Sequence, residues 1–140
     1  MPSAPTAART ARSRPQAATL LAGFSAWAIV VPWLAKALGL KLNVSTQLEV
    51  VDHVVPGILA LACAAVLTLP ASRSPESLPR LAAVGVAFLA GVWITTTHVT
   101  LIPTAADGAA PWGASLLHVS AGPPIVLLGL WLLLGPPARR

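Results

Sequence analysis

Uncharged and mainly apolar stretches recur at 17–35, 53–72, 81–106 and 108–138, bounded by charged or turn-forming residues. The hydrocarbon core of a bilayer takes about 20 apolar residues per helix. The pattern therefore predicts four membrane-spanning helices that use almost the whole chain. The fold class is an all-α membrane protein, its four transmembrane helices built as two tandem helical hairpins. The organisation expected is a disordered basic arm (1–16), a first two-helix repeat (17–72), a cytoplasmic linker (73–80) and a second two-helix repeat (81–138).

Capping chemistry marks the helix ends. Thr46-Gln47-Leu48-Glu49 has the T-x-x-E form of a capping box just before an apolar run, which starts the second helix at Thr46. At 1.5 Å per residue, His53 then lies about 10 Å along that helix, near the membrane boundary, with Asp52 and Glu49 facing the water above. Pro56 has no N–H for the carbonyl of Asp52 and bends the helix there. Pro123 and Pro124 do the same to the carbonyls of Val119 and Ser120. The segment SRSPESLPR makes a tight link between the second and third spans, and PTAADGAAPWG is its counterpart on the other side.

Composition agrees: 56% of residues are hydrophobic and 9% charged, and the mean hydropathy is +0.78, where soluble domains are about a quarter charged. No room is left for a soluble catalytic domain. The net charge of +5 is a matter of topology. Arg9, Arg12 and Arg14 precede the first span, Arg73 and Arg80 lie between the second and third, and Arg139 and Arg140 follow the fourth. The other connections hold Lys36, Lys41 and Asp107. This bias fits the positive-inside rule and predicts a multi-pass protein of the cell (inner or plasma) membrane with both termini cytoplasmic. A cleaved signal peptide is the rival reading of the N-terminus, but cleavage leaves an odd number of helices and a charge pattern that no longer fits. The arm is too poor in apolar residues to fold. Its arginines suit anionic headgroups, and no aromatic residue or motif supports nucleic acid. The lone Cys63 falls mid-span and has no partner for a disulfide or a metal set.

The stretch VDHVVPG, 51–57, returns as LLHVSAG, 116–122. From Gly57 the chain runs thirteen residues to Pro70, and from Gly122 thirteen to Gly135. Upstream, the run from Trp27 to Trp33 stands where the run from Trp93 to Val99 stands later, with an offset of 66 for the tryptophans and 65 for the histidines. A two-helix unit thus occurs twice. Its first copy resembles the SPW repeat family of small bacterial membrane proteins through Gly23, Trp27 and Val31-Pro32-Trp33, with valine in place of the family's serine, followed by Asp52, His53 and Gly57. The second copy keeps Gly91, Trp93, His118 and Gly122 but has Thr97-His98-Val99 at the motif. The resemblance spans roughly 20–134 and implies two transmembrane hairpins; it implies no activity.

Two readings compete at the histidines. His53, His98 and His118 all fall at the outer ends of their helices, so they could bind a metal or supply axial ligands to a haem. The plainer reading has them at the interface, satisfied by water, headgroups or carbonyls freed by the prolines. Asp52 is either a partner orienting His53 or a residue stabilised by the helix dipole. Trp33 and Trp112 read as aromatic-belt residues. Thr95, Thr96, Thr97 and Thr100 read as threonines bonded to their own helix. Ala83, Ala87 and Gly91 on the third span, with Gly57, Ala60 and Ala64 on the second, are small-residue stripes suited to close packing. The sequence-based expectation is a structural or accessory subunit with no catalysis of its own, no cofactor and no metal. Its partners are the lipid bilayer and, as candidates, other membrane proteins or a second copy of the chain. The alternative is a haem-, metal- or quinone-binding redox subunit using the outer histidines. A transporter is disfavoured by the lack of mid-membrane ionisable residues.

Overall fold

A computed structural model describes residues 5–40, 42 and 44–134 and, of these, the side chains from residue 16 onward. The expected end of the fourth span (135–138), Arg139, Arg140, Lys41 and the first four residues of the arm lie outside the described residues. All regular structure among the described residues is helical. Four helical segments, Gln16–Ala37, Thr46–Thr68, Leu78–Ala106 and Trp112–Leu134, are long and apolar enough to cross a membrane.

The first span belongs to α1 (Pro5–Ala37), which begins inside the segment whose composition predicts disorder. Residues 5–16 thus continue the span as helix. Proline suits the start of a helix because its missing N–H would be unpaired there anyway, and alanines follow at 7, 8 and 11. The helix ends in a Schellman motif: Gly39 has φ +72°, its N–H donates to Lys36 O at 3.1 Å, and Leu40 N–H donates to Ala35 O at 2.9 Å. The third span ends alike, with Gly108 at φ +75° and Ala109 N–H donating to Thr104 O at 3.0 Å.

The second span starts with α2 (Thr46–Glu49). Its N-cap is Ser45, whose Oγ accepts from Leu48 N–H at 3.3 Å, so Thr46 is the first helical residue and the expected capping box does not form. The side chain of Glu49 is thereby released for another role. A π-helical turn, Val50–Val54, follows, and α3 (Val55–Thr68) completes the span. The expected bend at Pro56 takes the form of this π turn, which widens the backbone where proline removes a hydrogen bond. Leu69 is extended and Pro70–Ser72 form a 3₁₀ turn, so the helix stops four residues short of the apolar run.

The third span comprises α4 (Leu78–His98) and α5 (Leu101–Ala106). The fourth comprises α6 (Trp112–Val119) and α7 (Gly122–Leu134), broken ahead of Pro123 and Pro124 as expected. The first hairpin packs α1 on α3 and the second packs α4 on α7; α3 against α4 joins them, and α7 returns more thinly to α1. Ala60, Ala64, Ala83 and Ala87 share one buried cluster with Leu21, Ile94 and Ile125, so the two small-residue stripes meet. Leu59, Leu89 and Leu127 point outward, as lipid-facing residues do.

Glycine permits the closest approaches, and the repeat places them equivalently. A Cβ on Gly57 would lie 2.7 Å from Ile29 Cγ1 and 3.2 Å from Ser25 O. One on Gly122 would lie 2.7 Å from Thr95 N. Ile29 and Thr95 differ by 66 in number, the offset of the repeat. Across the second hairpin, a Cβ on Gly91 would meet Val126 N at 2.8 Å.

Gly122→Ala is expected to destabilise the bundle by about 1–3 kcal/mol, the usual cost of overpacking, because the obstacle is backbone. Gly85→Ala, with open space around its Cβ, should leave stability unchanged or raise it by up to about 1 kcal/mol. Thermal unfolding in detergent distinguishes the two.

Candidate metal centre

Three of the four spans lose α-helical regularity at a histidine. His53 lies in the π turn, His98 is the last residue of α4, and His118 is the penultimate residue of α6. Irregular backbone at membrane depth is tolerated only where protein buries it or it lines a cavity. Here the breaks bring the three side chains together. The ring centroids of His53 and His98 are 4.1 Å apart, those of His53 and His118 5.3 Å, and those of His98 and His118 6.0 Å. The level expected to be shared by His53 and His118 is therefore observed. Their exposure is not the one expected: His53 is 0% exposed, His118 2% and His98 8%. They are enclosed by the bundle: His98 continues the buried face of α4 four residues after Ile94, while His53 and His118 lie in the π turn and at the end of α6.

Glu49 joins them. It was expected to face water, but it is 3% exposed, and its Oε1 stands 3.4 Å from His118 Nε2. With Ser45 capping the helix, the carboxylate is free to turn inward, one helical turn before His53.

Hydrogen bonding sets the chemistry of the rings. His118 Nδ1 lies 2.8 Å from Ala114 O, and His98 Nδ1 lies 2.9 Å from Ile94 O and 2.9 Å from Thr97 Oγ1. A carbonyl only accepts, so Nδ1 carries the proton in both rings and Nε2 of each neutral ring bears the lone pair. His118 Nε2 and Glu49 Oε1 are then two acceptors facing each other, a pair that requires a proton or a cation between them. His53 is more exceptional. Neither of its ring nitrogens has a hydrogen-bond partner, although burying one polar group unpaired costs about 1–3 kcal/mol.

Ligand atoms of Glu49, His53 and His118 all lie within 4.8 Å of one another, the sole such group of three among the described residues. Two imidazoles, one of them anchored through Nδ1 to a carbonyl, and a carboxylate are donors of a kind that could hold a transition-metal ion.

The other residues singled out in the sequence take supporting places. Trp27 Nε1–H donates to Ser120 Oγ at 2.8 Å, tying the first span to the break in the fourth. Pro32 is buried. Trp33 and Trp112 are half-exposed, and Lys36 Nζ sits 4.8 Å from the Trp33 ring centre. Trp93 also faces outward. Asp52 is half-buried beside the cluster without joining the donor set. Thr95, Thr96 and Thr97 donate to the carbonyls of Gly91, Val92 and Trp93 at 2.8, 2.9 and 2.9 Å, so they support the helix and line no polar cavity. Of this group, Glu49 was the member missed in the sequence. Its spacing of four from His53, which puts both on one helix face, is the signal that could have found it.

No family model, curated protein or solved structure matches the chain. Its class rests on the fold: a multi-pass membrane protein with four spanning helices.

His53→Leu is expected to stabilise the chelator-treated protein by about 1–3 kcal/mol, because it removes unpaired buried polar atoms. The same substitution should abolish any stabilisation by added Zn²⁺. Thermal unfolding with EDTA and with Zn²⁺ checks both.

Proposed function

We propose that this chain is a membrane protein that binds one divalent transition-metal ion through Glu49, His53 and His118. The observation that carries the reading is the buried His53 ring, unpaired at both nitrogens, beside an imidazole and a carboxylate whose acceptor atoms face each other at 3.4 Å. A cation resolves both problems at once. The neutral rings and single carboxylate suit Zn²⁺ and ions of similar preference; Cys63, deeper in α3, plays no part.

A second reading has the chain as a structural or accessory subunit of SPW-repeat type, without catalysis of its own. It is favoured by the equivalent contacts of Gly57 on Ile29 and Gly122 on Thr95. The two readings are compatible if the ion serves the scaffold. Within either, the arginine distribution supports both termini being cytoplasmic in a cell membrane.

Detergent-purified protein stripped with EDTA should take up one Zn²⁺ per chain in calorimetric titration. Glu49→Gln, His53→Asn and His118→Asn should each weaken binding by more than the 10–100-fold typical of losing an outer partner. Wild-type protein that takes up no ion at micromolar concentration overturns the proposal. For topology, reporter fusions at Ser74 and Asp107 should report opposite sides, with Ser74 cytoplasmic; a cytoplasmic Asp107 rejects the orientation.

A further inference from the structure

We propose that His98 is the fourth ligand of this ion, closing the site into a four-coordinate staple between the two hairpins. The inference rests on the metal-binding reading and adds to it the coordination number and the role of the ion.

Three observations carry it. The first is ring spacing. With metal–nitrogen bonds of about 2.0–2.1 Å, imidazole centres stand roughly 3.2 Å from the ion and, at tetrahedral angles, about 5 Å from one another. The three centroid separations of 4.1, 5.3 and 6.0 Å bracket that value. Ion binding draws the His98 ring away from His53 and towards His118. The second is tautomer. His98 and His118 have the same anchoring contact, Nδ1 to the carbonyl four residues earlier, so Nε2 of each neutral ring bears the lone pair, that of His118 facing Glu49 Oε1 at 3.4 Å. Such anchoring is the usual second shell of a metal-bound histidine.

The third observation is how the ligands are shared between the repeats. Glu49 and His53 come from the first hairpin and His98 and His118 from the second. The repeat does not duplicate the set: Pro32 stands at the position equivalent to His98, and Ala114 at that equivalent to Glu49. The chain therefore has one composite site where the two copies meet. A site with four protein ligands and no open position holds structure together, whereas catalytic ions keep a position for water or substrate. The ion's binding free energy then adds to the association of the hairpins.

Co²⁺ substitution tests this. Wild-type protein should bind one Co²⁺ with the intense visible bands of a four-coordinate centre. His98→Asn should still bind Co²⁺, at least about tenfold more weakly, with the weak bands of a five- or six-coordinate, water-bearing centre. X-ray absorption of the wild-type Zn²⁺ form, which needs no variant to fold, should count three imidazoles. Weak bands in wild-type protein, unchanged in His98→Asn, or a count of two imidazoles, overturn the staple and leave the three-ligand site intact. Failure of wild-type protein to bind Co²⁺ or Zn²⁺ overturns the underlying reading.

Discussion

Inside a bilayer there is no solvent to satisfy a polar group, so every buried donor and acceptor has to find its partner within the protein. Most of this bundle meets that requirement by simple means. Three threonines return to their own helix, Ser25 donates to Leu21 O, and two Schellman turns close helix ends with glycine. The cluster of histidines departs from the pattern. Pro56, Pro123 and Pro124 lie where two spans lose α-helical regularity close to His53 and His118. That arrangement costs stability unless something at the centre accepts the lone pairs.

The correspondence between the two hairpins bears on where the cluster lies. His53 and His118, 65 residues apart in sequence, stand at matching positions of the two hairpins, and Gly57 and Gly122 bring their helices close to the helix before. Symmetry alone would give a pair of facing imidazoles. The two hairpins differ in the rest: the second has His98 where the first has Pro32, and the first has Glu49 where the second has Ala114. The matching positions thus account for the place, and the differing ones for the chemistry.

Depth along a span is legible in a sequence, because it follows from the count of residues at 1.5 Å each. That is why the four spans, the breaks at the prolines and the shared level of His53 and His118 could be read. Rotation about each helix axis is less legible where the helix is irregular. The π turn at Val50–Val54 shifts the phase of the side chains before it relative to α3, and the end of α4 at His98 frees the following residues from its phase. Glu49 illustrates the second obstacle. A carboxylate three residues after threonine fits a capping box, and one four residues before histidine fits a ligand pair. Packing decides between them, here through Ser45, one residue upstream of the expected cap.

Electrostatics gives the two ends of the bundle different characters. The sequence's arginines all precede the first span, lie in the 73–80 connection or follow the fourth span. At the histidine end stand Glu49, Asp52 and Asp107, three of the four carboxylates, while Lys36 is held over the Trp33 ring. Under the proposed metal-binding reading, these carboxylates favour a divalent cation at that end, and approach from the other end crosses the apolar core formed by Leu21, Ala87 and Ile125. A carboxylate at the ion also offsets part of its charge, which lowers the cost of burying it beside hydrocarbon. Under the same proposed reading, the arginine bias that fits the positive-inside rule and the carboxylates together favour entry of the ion from the end where the histidines lie.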